Sequence, residues 1–134
     1  MTPTSQAMPP RPTPAELEIL RVLWQHGPRT VREVQEQLHE ERPTGYTTVL
    51  KLLQIMTDKG LVRRDESARS HVYRATRPEA DVKRGLVSDL LDRAFGGSAA
   101  SLVMHALQSQ KASAAELREI RSLLDTLTVK GKGK

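Results

Sequence analysis

Gly45-Tyr46-Thr47-Thr48-Val49-Leu50-Lys51-Leu52-Leu53-Gln54-Ile55-Met56-Thr57-Asp58-Lys59-Gly60, running straight into Leu61-Val62-Arg63-Arg64, is the stretch on which the fold turns. Tyr46, Val49, Leu52, Leu53 and Met56 recur at helical spacing and predict an apolar stripe held by a core. The opposite face carries Thr47, Thr48, Lys51 and Gln54, a set of hydroxyls, amide and ammonium that no other face in the chain assembles. Gly60 is expected to cap the helix, and beyond it the pattern changes to β-prone runs. These are Leu61-Val62-Arg63-Arg64 and His71-Val72-Tyr73-Arg74, joined by the polar link Asp65-Glu66-Ser67-Ala68-Arg69-Ser70, which predicts a hairpin with a basic tip.

Outward from this stretch, each neighbouring segment announces its own start. Thr30-Val31-Arg32-Glu33 has the form of a capping box, in which a hydroxyl and a carboxylate satisfy each other's backbone N–H groups, and Val31, Val34 and Leu38 predict a short helix ending near Glu40 or Glu41. Thr13-Pro14-Ala15-Glu16 opens an earlier helix whose apolar side chains are Leu17, Leu20, Leu23 and Trp24, with Gly27-Pro28 as its stop. Three helices followed by a two-stranded ribbon is a winged helix-turn-helix domain, expected over residues 13–77. Residues 1–12 contain Pro3, Pro9, Pro10 and Pro12 and predict a disordered arm.

Thr76-Arg77-Pro78-Glu79 again resembles a capping box and is expected to open a fourth helix bearing Val82, Leu86, Leu90, Leu91 and Phe95. After Gly96-Gly97, a short helix from Ser98 to about Gln108 carries Leu102, Val103 and Leu107. Ser113 and Glu116 frame the start of a last helix with Leu117, Ile120, Leu123, Leu124 and Leu127. Residues 129–134 predict a disordered basic tail. The fold class is therefore mainly α with a small two-stranded β-wing, a winged helix-turn-helix domain plus a C-terminal three-helix region at 78–128. Three helices of this size bury little of their own surface, and each large aliphatic side chain gains about 1.5–3 kcal/mol from burial. The stripes named above are thus expected to form a homodimer interface, the alternative being that they pack back on the winged domain.

Charge is unevenly spread. Residues 42–77 hold eight Lys or Arg against three acids, an excess equal to the whole chain's net charge of +5. Such a block is either a solvated surface or the footprint of a phosphate-backbone binder. Within a winged helix, the helix starting near Gly45 fits a major groove. Thr44, Gly45, Thr47, Thr48 and Lys51 are the candidates for base contact; the threonines can meet base edges or phosphates, and Lys51 can reach a guanine or only a phosphate. Arg42, Arg63, Arg64, Arg69, His71 and Arg74 are the candidates for phosphate contact.

The absence of cysteine excludes disulfides, thiolate metal sites and cysteine nucleophiles. His26, His39, His71 and His105 are scattered without paired ligand spacing, and no phosphate loop or nucleophile motif occurs, so neither an enzyme nor a cofactor is expected. No apolar run approaches the roughly 20 residues that span a bilayer. The N-terminal arm lacks the apolar segment of a secretion signal, and a cytoplasmic location is expected. A winged-helix adaptor for protein contacts and a small-ligand-sensing regulator are the rival readings.

Several of these stretches, taken in order, resemble the penicillinase-repressor family of the BlaI/MecI type. They are Pro14-Ala15-Glu16-Leu17-Glu18-Ile19-Leu20 with Leu23-Trp24, Thr30-Val31-Arg32-Glu33-Val34, Tyr46-Thr47-Thr48-Val49 and Lys59-Gly60-Leu61-Val62. Phe95-Gly96-Gly97-Ser98, Leu102-Val103 and Leu117-Arg118-Glu119-Ile120 continue the likeness into the C-terminal half. The resemblance implies a winged-helix dimer that represses a promoter by binding operator DNA. It also implies a membrane sensor metallopeptidase as a partner and induction by cleavage in the dimerisation region. His105-Ala106 stands where well-known members have Asn-Phe at the cleaved bond, and is the candidate proteolytic site. Ile55 replaces an Arg and Lys51 a Thr common in the family, so the operator is expected to differ from the usual one. Copper-responsive relatives carry a C-terminal cysteine cluster that this chain lacks.

Overall fold

The computed structural model describes residues 11–132. The expected arm falls mostly on residues 1–10, outside the described residues, as do the last two residues of the expected tail. Helix α1, Pro14–His26, starts as anticipated: the Thr13 hydroxyl accepts from the Glu16 N–H at 3.2 Å and Glu16 Oε1 accepts from the Thr13 N–H at 2.9 Å. Helix α2, Val31–His39, repeats this with Thr30 and Glu33 at 3.2 and 2.9 Å. Helix α3, Tyr46–Lys59, follows a tight turn and ends on Gly60, whose φ of 81° is the left-handed conformation that glycine adopts without a Cβ clash. Ile19 and Leu20 of α1, Val34 of α2, and Val49, Leu53 and Met56 of α3 form the buried centre of one core.

The wing is built from β2, Val62–Asp65, and β3, Val72–Ala75, paired antiparallel with Val62 opposite Ala75 and Arg64 opposite Tyr73. The expected two-stranded ribbon is in fact a three-stranded sheet, in which a short strand β1, Arg29–Thr30, gives the order β1-β3-β2. Strand β1 pairs Arg29 with Tyr73 and Thr30 with Val72. Strand alternation sends Tyr73 into the core at 2 % exposure and leaves Arg74 outside.

Helix α4 spans Glu79–Ala94, α5 Ala99–Ser109 and α6 Ala114–Lys132. Two expectations are corrected here. Thr76 does not cap α4: its hydroxyl donates to the Gly60 carbonyl at 2.7 Å and to that of Leu61 at 3.1 Å, while Glu79 pairs with Lys83 at 2.7 Å. Residues 129–132 are not tail but the last turn of α6. The chain falls into two compact units, Met1–Val87 and Ser88–Lys134, dividing within α4. In the first unit the Trp24 indole N–H donates to the Arg77 carbonyl at 3.0 Å, which ties the approach to α4 to α1. Among the described residues no helix is long and apolar enough to cross a membrane.

Candidate nucleic-acid interface

Val49, Leu53 and Met56 are fully buried, and the helical period of about 100° per residue then fixes which side chains point away from the core. The outermost line is Thr47, Lys51, Gln54 and Asp58, all exposed, with Thr48 and Ile55 flanking it. Thr47, Thr48 and Lys51 therefore stand where the sequence placed them. Gln54 belongs to the same line, and its spacing of three from Lys51 was the signal for adding it to the base-contact candidates. Tyr46 departs from the expected apolar stripe: it is 44 % exposed, with the Arg32 guanidinium 5.5 Å from its ring centroid. Arg32 thus lies at the head of α3, and sequence reasoning had assigned it no role.

The entry to α3 is held by α2. Gln35 Nε2 donates to the Thr44 carbonyl at 2.9 Å, and the Thr44 N–H donates to His39 Nδ1 at 3.1 Å. The Thr44 hydroxyl donates to the Arg42 carbonyl at 2.9 Å, so its proton is committed to the turn rather than to a base edge. Gly45 is the N-cap and provides no side-chain hydrogen bond, and the first turn holds no acidic residue. The opening N–H groups of α3 are therefore left for an external acceptor, and the helix dipole favours an anion there.

On the wing, Arg63 lies directly opposite Arg74 across β2 and β3, and both side chains are exposed. Like charges in that position weaken a sheet, so the pair favours an anion placed over it. Arg63, Arg69, His71 and Arg74 form no salt bridge among the described residues. Arg42 and Arg64 are engaged: Arg42 meets Glu18 at 2.6 Å and Arg64 meets Glu66 at 2.5 Å. The Asp65 carboxyl is held below its ordinary range, chiefly by the backbone N–H and hydroxyl of Ser67, which fold the wing tip. Among the described residues no cluster of three or more His, Asp or Glu forms that could hold a metal ion.

The C-terminal candidates divide by exposure. Val82, Leu86, Leu91, Phe95, Leu102, Leu107 and Ile120 are half-buried, whereas Leu90, Val103, Leu117, Leu123, Leu124 and Leu127 are exposed. His105 and Ala106 lie exposed within α5; His105 Nδ1 meets the Ser101 carbonyl at 2.9 Å and its ring lies 5.5 Å from that of Phe95.

A polar helix face presented over an apolar core, beside a basic β-wing, defines a winged-helix protein of the DNA-binding class. The model of the penicillinase repressor family matches residues 12–126. A penicillinase repressor of Bacillus licheniformis is 26% identical over 116 residues, covering 87% of this chain and 91% of its own. The transcriptional regulator BlaI of Mycobacterium tuberculosis is 32% identical over 103 residues, covering 75% of each chain. The fold is also that of a MarR family protein from Bacillus stearothermophilus, with a TM-score of 0.51 at 19% identity over 95% of this chain and 79% of that one. The chain belongs to the penicillinase repressor family. It is accordingly a DNA-binding transcriptional repressor of the BlaI/MecI type and not an enzyme.

Proposed function

We propose that the chain acts in the cytoplasm as a homodimer that represses a promoter by occupying two half-sites of an operator. Thr47, Thr48, Lys51 and Gln54 read base edges in the major groove; the start of α3, Arg32, Arg63, Arg69, His71 and Arg74 hold the phosphates. The observation that carries this reading is the outward line of α3 set between an uncapped N-terminus and the exposed, mutually facing Arg63 and Arg74. Dimerisation is supported by α6, where Leu117, Ile120, Leu124 and Leu127 follow the alternating three-and-four spacing of helices that pair, and three of them are 45%, 55% and 53% exposed. Derepression by a membrane metallopeptidase would break the chain within the pairing region and leave the winged domain intact. The His105–Ala106 bond lies inside α5, so a protease needs that helix to open first.

The test is selection of duplexes from a random-sequence pool, followed by binding of the winner and of a scrambled duplex at several salt concentrations. A two-fold symmetric winner, with log K falling by about 0.9 per log unit of salt for each phosphate contacted, is the expected result. Lys51→Ala is expected to cost about 1–3 kcal/mol on the winner alone. A chain that stays monomeric and prefers no duplex at low salt would remove the reading.

A further inference from the structure

Glu16 is 2 % exposed, and it is the charged residue found in the core of the first unit among the described residues. Its Oε1 accepts from the Thr13 N–H at 2.9 Å and from Lys59 Nζ at 2.8 Å. The capping box at the head of α1 therefore reaches the last residue of α3, 43 positions away. Helix capping alone does not need this, since Glu33 completes the box of α2 while remaining exposed. A buried ion pair adds little net stability over a well-packed apolar pair, so its geometry is its more informative property.

That geometry concerns the exit of α3. Lys59 anchors the helix from the α1 side, and the next residue, Gly60, turns the chain toward β2. From the other side the Thr76 hydroxyl grips the Gly60 and Leu61 carbonyls, and the Thr76 N–H donates to Leu61 at 3.1 Å. The last residue of the reading helix is thus pinned between α1 and the end of β3. Thr47 lies twelve residues from this anchor, about 18 Å along the axis. A tilt of about 5° there moves Thr47 by about 1.5 Å, which takes a base-edge hydrogen bond out of range. Long arginine side chains on phosphates absorb the same shift.

We infer that Glu16 and Lys59, with Thr76 opposite, are positioning residues that set the angle of α3 and so govern discrimination between DNA sequences rather than overall DNA affinity. This rests on the base-reading role proposed above. Burial pushes the Glu16 carboxyl up, but hydrogen bonds from Lys59 and Thr13 and the Lys59 charge outweigh it, so the group stays ionised at neutral pH.

The experiment compares full-length wild type, Glu16→Gln, Lys59→Met and Lys59→Arg on the duplex selected by wild type and on a scrambled duplex of equal length. Glu16→Gln and Lys59→Met should each reduce the selected-to-scrambled affinity ratio by about tenfold, with the salt slope unchanged. Lys59→Arg, which keeps the cation, should restore most of the ratio. An unchanged ratio in both, or an equal loss on both duplexes, overturns the inference. So does a smaller salt slope confined to Lys59→Met, which would make Lys59 a phosphate contact. Thr76→Val removes the opposite grip without touching the buried charge; it should lower the ratio too, and serves if Glu16→Gln does not fold. Failure of wild type to select any duplex defeats the proposed function itself, a result distinguishable from wild-type discrimination persisting in the variants.

Discussion

In the winged unit Ile19, Val34, Val49, Leu53 and Met56 are fully buried within a single chain; along α4, α5 and α6 no described side chain is. The two regions have comparable aliphatic content, so the difference lies in arrangement. Three helices crossing over a sheet enclose their own centre, with Tyr73 plugging it from β3. The later helices keep Leu90, Val103, Leu123 and Leu127 at the surface. The first region is self-sufficient, and on the proposed function the second completes its core with another copy of itself. On that proposal reading and pairing are separate, which would let one be altered without the other.

Cutting the chain after Val87 is the strongest way to break this comparison. The winged fragment should remain folded and monomeric, while affinity for a duplex with two half-sites should fall by about 10²–10⁴-fold through lost effective concentration. Sedimentation and titration check it, and a dimeric fragment at micromolar concentration would erase the division. Next in size is the contrast between Leu53→Ala and Leu124→Ala. Leu53→Ala should cost about 2–5 kcal/mol in urea unfolding at any protein concentration. Leu124→Ala should act through the dimer, so that its effect shrinks as protein concentration rises.

A smaller effect is expected at the wing. Arg63→Ala should lower the salt slope by about 0.9 while leaving thermal stability unchanged or slightly raised, because Arg74 loses a like-charged neighbour. The smallest is the acid response of Glu16. Its folded pKa lies below 4.5, so its contribution is present above that value and is lost as pH falls through the folded pKa. Glu16→Gln should therefore lose less stability than wild type as pH falls below the ordinary carboxylate range, as read by thermal melts. An equal acid loss in both proteins would show that the Lys59 pairing does not stabilise the ionised form.

The helices were legible because their signals are local. Thr13 with Glu16 and Thr30 with Glu33 cap as their spacing implies, and Val49, Leu53 and Met56 face inward as their period implies. What escaped was decided by distant partners. Strand β1 has two residues and exists only because Tyr73 and Val72 pair with it. Thr76 fits a capping pattern, yet the Gly60 and Leu61 carbonyls claim its hydroxyl. Thr44 looked like a groove residue until its hydroxyl turned back to Arg42. Arg42 and Arg64 looked free as charges, and Glu18 and Glu66 occupy them. Conversely, the facing of Arg63 and Arg74 follows from strand register, which the hairpin loop alone did not specify.

Gly45 leaves the reading helix without the oxygen cap that closes α1 and α2. Room for one exists: a Cβ at this position would meet nothing within 4 Å, and its φ of −84° suits any residue. An aspartate there would strengthen the free fold by a few tenths of a kcal/mol, yet would set a negative charge where, on the proposed function, a phosphate binds. Thermal robustness and repression therefore pull position 45 in opposite directions. On the proposed function the duplex itself would finish the helix, and the repressor would be at its sturdiest only while it is silencing a gene.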